Sequence, residues 1–154
     1  MPLFNFSSNL HSSSLSILFD QHFSQWVVGK TLVHFPRTGD SKEKYFVVVN
    51  ADSLDEDVLM VLLNSEPKYL LAHPILKTHV VKMIPAECDN LFPKECYADC
   101  TEFILMKRET ILSRFISNPQ ILLGKLPENI SKMLKERIIG SHLIPVEYQE
   151  KVYK

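Results

Sequence analysis

The 154-residue chain has almost no net charge, since 17 Lys and Arg stand against 18 Asp and Glu, a formal balance of -1. No global field draws such a chain to nucleic acid or to an anionic membrane, so any contact of that kind must come from a local basic patch. No apolar run approaches the roughly 20 residues that a membrane-spanning helix needs. The opening stretch, MPLFNFSSNLHSSSLSILFD, lacks the basic n-region and small-residue cleavage site of a signal peptide. An intracellular, cytoplasmic protein with no membrane partner is therefore expected. Cysteines are few and odd in number, Cys88, Cys96 and Cys100, whereas a secreted chain of this size would carry an even disulfide framework. Free thiols are the simpler reading. A metal reading would join these three to His79, but there is no C-x-x-C knuckle and no H-x-x-x-H pair to fix a tetrahedron, so no metal and no cofactor are expected.

There is also no internal repeat and no alternation of strands with helices. What is present is 45% apolar residues, enough for one ordinary core and too little chain for two. In SLSILFDQHFSQW, Leu15, Leu18, Phe19, His22, Phe23 and Trp26 recur at helical spacing after a group of serines suited to capping. KTLVHF then alternates like a strand. The polar PRTGDSKEK reads as a long loop, mobile over Pro36 to Glu43, and YFVVVN as a strand covered on both faces. VLMVLLN, HVVKMI and ADCTEFILM supply three more strands, with turn-rich PAECDNLFPKECY between the last two. RETILSRFIS is helical and stops before Asn118-Pro119, since proline disfavours a helical predecessor. In GKLPENISKMLKERIIGS, Pro127 and Glu128 suit a helix start and Lys135 and Arg137 a helix end. Ile130, Met133, Leu134 and Ile138 form the buried stripe, and Gly140 terminates the helix. The expected architecture is mainly β, a small bent antiparallel barrel of about five strands between Lys30 and Met106 with helices before and after it. Residues 1–28 would form an N-terminal helical extension and 29–154 the barrel with its C-terminal helices.

The order GKTLVHFPRTGDSKEKYFVVVN, VLMVLLN, YADCTEF, GKLPENISKMLKERI resembles the MazF/PemK family of toxin ribonucleases over about Gly29 to Gly140. The resemblance implies an SH3-like barrel with appended helices. It also implies metal-independent cleavage of single-stranded RNA by the ribose 2′-hydroxyl, a two-fold homodimer, and silencing by an antitoxin protein. A non-catalytic barrel that binds RNA or protein is the alternative, and an unrelated small β domain assembling through its first helix is a third.

In-line attack by a 2′-hydroxyl needs a base, an acid and cations aimed at the phosphoryl oxygens. The family carries an arginine at the start of the second strand, where this chain has Lys44, a point charge without the bidentate fork. The proline that usually follows is absent from KYFVV. The family's Thr or Ser at the end of the third strand is matched by Asn64-Ser65, with Ser65 the catalytic hydroxyl and Asn64 an RNA contact. Asp99 stands where the family has an acid that binds RNA or orients the cation, with Thr101 beside it as an RNA contact. The plainer reading of Asp99-Cys100-Thr101 is a capped turn followed by a good strand former. His34, ahead of Phe35-Pro36, is a groove wall and acid-base candidate or a backbone-bonded structural histidine. Arg37 and Lys42 make the first loop locally basic, which suits phosphate contacts and equally suits a solvated loop. Lys107-Arg108 begins a helix, an unfavourable place for cations unless a partner or phosphate holds them.

Overall fold

Six consecutive apolar residues, Val58 to Leu63, are all buried, a pattern that requires a strand covered on both faces. In the computed structural model, which describes Phe4, Phe6 and residues 11–52 and 54–153, they form β3 (Asp57–Asn64) at the centre of one sheet. Around it lie β1 (Val27–Phe35), β2 (Asp40–Val48), β4 (Val80–Met83), β5 (Cys96–Asp99), β6 (Ile104–Lys107) and β7 (Leu122–Lys125). Their order is β4-β5-β3-β2-β1-β7, with β6 also on β3, and every pairing is antiparallel. The sheet curls into a half-barrel. Among the described residues there are five α-helices: α1 (Ser12–His22), α2 (Lys68–Ala72), α3 (Arg108–Ser117), α4 (Glu128–Ile138) and α5 (Val146–Tyr153).

Strand alternation divides the core in two. Val47, Val49, Leu59, Val61 and Leu63 meet Ile130, Leu134 and Ile138 of α4 and Val152 of α5 on one face. Phe46, Val48, Val58, Met60 and Leu62 meet Leu15 and Phe19 of α1 and Ile111 and Phe115 of α3 on the other. The aromatic contacts Phe19–Phe23 at 4.5 Å and Phe19–Phe115 at 5.5 Å tie the first helix to that second core.

Several expectations change. The first helix stops at His22 rather than running to Trp26, and its serines lie in the first turn without a side-chain cap. The chain is redirected because Trp26 takes a positive φ of 72°, its N–H donating to Val48 O and its carbonyl accepting from Leu126 N. Half of the stretch expected as a mobile loop is strand. Pairing continues to Phe35↔Asp40, and only Pro36 to Gly39 turns, closed by Gly39 N–H on Phe35 O at 2.9 Å with Gly39 at φ +74°. The ladder needs backbone partners, not apolar side chains, so polar Asp40 to Glu43 extends the hairpin beyond the core. ADCTEFILM is two strands instead of one. Between Met60↔Ile104 and Leu63↔Ala98, β3 advances three residues while its neighbour advances six, and the excess is extruded around Cys100 and Thr101. Met133 is exposed and Ser131 is buried in its place. Lys107 and Arg108 are paired from within, with Asp57 at 2.7 Å and Asp20 at 2.7 Å. Among the described residues no helix is long and apolar enough to cross a membrane.

Gly29 lies in a close approach within the sheet, at the irregularity between β1 and β7. A Cβ there would overlap the Phe46 ring and lie 2.8 Å from Ile121 O. Gly29→Ala should therefore destabilise by about 1–3 kcal/mol through overpacking. Gly39→Ala meets nothing within 4 Å and should cost about 1 kcal/mol from its left-handed backbone alone. Urea midpoints of the two variants distinguish these; equal losses would show that the close approach at Gly29 is not a constraint.

Candidate functional site

The apolar side chains of β2 begin at Tyr45, so the residue before it stands where the core ends and solvent begins. That residue is Lys44. The register Tyr45↔Leu63 brings it level with Asn64 at the end of β3, and its Nζ donates to Asn64 Oδ1 at 2.9 Å. Ser65 follows on the turn. Two depressions meet here. One, of about 310 Å³, is walled by Lys30, Lys44, Ser65 and Lys94, with Leu63 and Phe92 beneath. The other, of about 490 Å³, is bounded by Lys44, Asn64, Ser65 and the start of α2 at Lys68 and Tyr69. Lys44, Asn64 and Ser65, singled out from the sequence, are thus brought together.

The electrostatics of the junction are unusual for a surface lysine. Burial, and secondarily the like charge of Lys42, hold the Lys44 ammonium below the usual lysine range. Its partner is a neutral amide, and among the described residues it makes no ion pair. Lys30 lies over the Tyr45 ring, 5.0 Å from its centroid, and Tyr45 meets Phe92 edge-on at 6.5 Å. Two acids line the first depression, Glu43 and Glu95, of which Glu95 is engaged by Lys82 at 3.1 Å.

The other sequence candidates lie elsewhere. His34, Arg37 and Lys42 are exposed on the outer half of the β1–β2 hairpin and line neither depression; His34 Nδ1 is 3.1 Å from Ser41 Oγ. Asp99 is opposite Val80 on β4, separated from β2 by β3, and its Oδ1 accepts from Thr101 N–H at 3.0 Å and from the Thr101 hydroxyl. This is the capped turn: Asp99 and Thr101 hold the extruded corner between β5 and β6. Orientation of Lys44 falls to Asn64, not to Asp99. His79 is buried, with Nδ1 near the Thr78 hydroxyl and Ile75 O.

Lys30, Phe92, Lys94 and Tyr69 were not singled out from the sequence. Lys30 had a signal: once the turn is placed at Pro36 to Gly39, hairpin register pairs it with Tyr45. Phe92 and Lys94 had none, because the excursion that carries them is placed by packing against the sheet.

The thiols are not available chemistry. Burial pushes Cys88 up to about 11, Cys96 up to about 12 and Cys100 up to about 12. Among the described residues no group of three or more His, Cys, Asp or Glu is placed to hold a metal ion. No protein-family model matches the sequence, and no curated protein is significantly similar to it.

The same thiols make a stability prediction. Unfolding exposes them to water, where they ionise from about 9.0, whereas in the fold they stay protonated to about 11 or 12. The folded state then binds more protons than the unfolded one, so stability falls as pH rises from about 9 toward 12 and is insensitive to these groups below about 9. Guanidinium midpoints in reducing buffer should fall over that window, less steeply in Cys96→Ala. Slopes that coincide would show that Cys96 ionises as freely in the fold as in water.

Proposed function

We propose that this chain is a MazF/PemK-like half-barrel that binds single-stranded RNA at the Lys44 junction without cutting it. The observation that carries the reading is the Lys44 ammonium, partly buried, held by the Asn64 amide and left without a carboxylate where two depressions meet. A cation already stripped of part of its hydration and fixed by one acceptor keeps protons for a phosphate oxygen at little further cost in ordering. Lys30 and Lys94 add charge along the first depression, a local patch in a chain of near-zero net charge.

A second reading, metal-independent RNA cleavage by 2′-hydroxyl attack, is favoured by Ser65, which borders both depressions beside Lys44. A silencing antitoxin and a two-fold homodimer belong to that reading. It ranks second because attack requires a group to take the 2′-proton and another to protonate the leaving oxygen. The acids at hand are Glu43 and Glu95, while His34 lies off the cleft and Asp99 is committed to Thr101.

Fluorescence anisotropy with a labelled mixed-sequence RNA, in EDTA, tests both. Lys44→Ala should weaken binding by roughly tenfold, the scale of one charged hydrogen bond, and flatten the dependence of log K on log salt by about 0.7. Lys44→Arg should retain it. Intact RNA after long incubation is the expected result; products with cyclic phosphate ends, lost in Lys44→Ala, would establish cleavage instead. Wild-type protein that binds no RNA at low salt would end both readings.

A further inference from the structure

Tyr69 presents a large aromatic ring to solvent at 74% exposure, on α2, where β3 has just ended and nothing in the core calls for it. Its one ring neighbour is His73, at 6.2 Å. It lines the second depression together with Lys44, Asn64, Ser65 and Lys68, opposite the side of Lys44 that faces Lys30, Lys94 and the Phe92 floor. Lys44 and Ser65 border both depressions, so the two adjoin at the end of β3. The second depression sets two lysines against one acid, Glu66. The first has no aromatic face to offer: Phe92 is buried and the Tyr45 ring is covered by Lys30. Proteins that hold single strands without sequence preference combine cations along the backbone with aromatic rings on which bases stack.

We propose that Tyr69 is a base-stacking platform, and that a bound strand crosses Lys44 with one phosphate, running along the lysines of the first depression on one side and laying a base on Tyr69 on the other. This rests on the RNA-binding reading above and adds to it the direction of the strand's path and a second subsite. The ring is exposed, so its replacement leaves the core untouched. Lys68, in the same depression, follows the strand with charge.

The test compares two oligouridylates, a trinucleotide that fills one half of the path and an octanucleotide that fills both, by competition against the labelled RNA. Tyr69→Ala should weaken the octanucleotide by about tenfold, the scale of one lost stack, and leave the trinucleotide unchanged. Tyr69→Trp should restore the octanucleotide. Photocrosslinking of an octanucleotide carrying 4-thiouridine should label the tryptic peptide from Tyr69 to Lys77. Octanucleotide binding that is weakened by Lys44→Ala yet unchanged in Tyr69→Ala, with no label on that peptide, overturns the stacking subsite while the RNA reading stands. Absence of binding to either oligonucleotide removes both together.

Discussion

Everything in this fold is referred to β3, a strand buried on both faces and paired on both edges. Its even and odd side chains enter different cores, so neither α4 and α5 on one side nor α1 and α3 on the other could be removed without exposing half of a continuous apolar run. Such a strand has one allowed register, because a slip of one residue would exchange the two cores. Rigidity at the centre is transmitted outward: β2 is fixed along one edge, and β5 and β6 share the other. The shared edge explains the corner at Cys100 and Thr101. Two segments of different register must both satisfy β3, and the extra residues are folded out and tied by Asp99.

The candidate site follows from where this rigid strand stops. Asn64 is its last residue and Ser65 the first beyond it, so both stand at the end of the most buried strand and yet reach solvent. On β2 the change from exposed to buried residues falls between Glu43 and Phe46, which leaves Lys44 and Tyr45 at the boundary. A lysine there loses water on one side and gains only an amide. The contrast with Lys107 is instructive: it is fully solvated, its proton is held more tightly by a hydrogen bond to Asp57, and its charge is already matched. The lowered proton affinity of Lys44 and the raised one of Lys107 have the same origin in burial against pairing, with opposite sign.

Elements whose pattern is decided by burial were legible in the sequence. The run VVV announced a strand covered on both faces and VLMVLL a strand, RETILSRFIS announced α3, and Pro127 with Gly140 marked the helix α4 and the turn beyond it, where φ is indeed positive. Elements decided by partners were not. Asp40 to Glu43 is strand because β1 lies beside it, and its side chains say loop. β7 is four residues long and exists because β1 offers an edge. α5 buries little beyond Val152, so its apolar signal is faint. For the site, Lys44, Asn64 and Ser65 could be placed together from family order and strand pairing, whereas the second depression depends on α2, a five-residue helix with no buried side chain and hence no periodic trace.

The identity of residue 44 bears on what the site is built to hold. A guanidinium presents five N–H groups in a plane and is satisfied by two parallel acceptors. Asn64 offers one oxygen, and the groups nearest to it on β1 and β3 are the Thr31 hydroxyl, which accepts from Arg114 at 2.8 Å, and Leu63, which is apolar. Among the described residues the Lys44 ammonium is thus fixed by one neutral acceptor, the Asn64 amide oxygen. A point charge held in this way contacts one phosphate oxygen from many approach angles. Stabilising the spread charge of a phosphorane calls for donors at several oxygens at once.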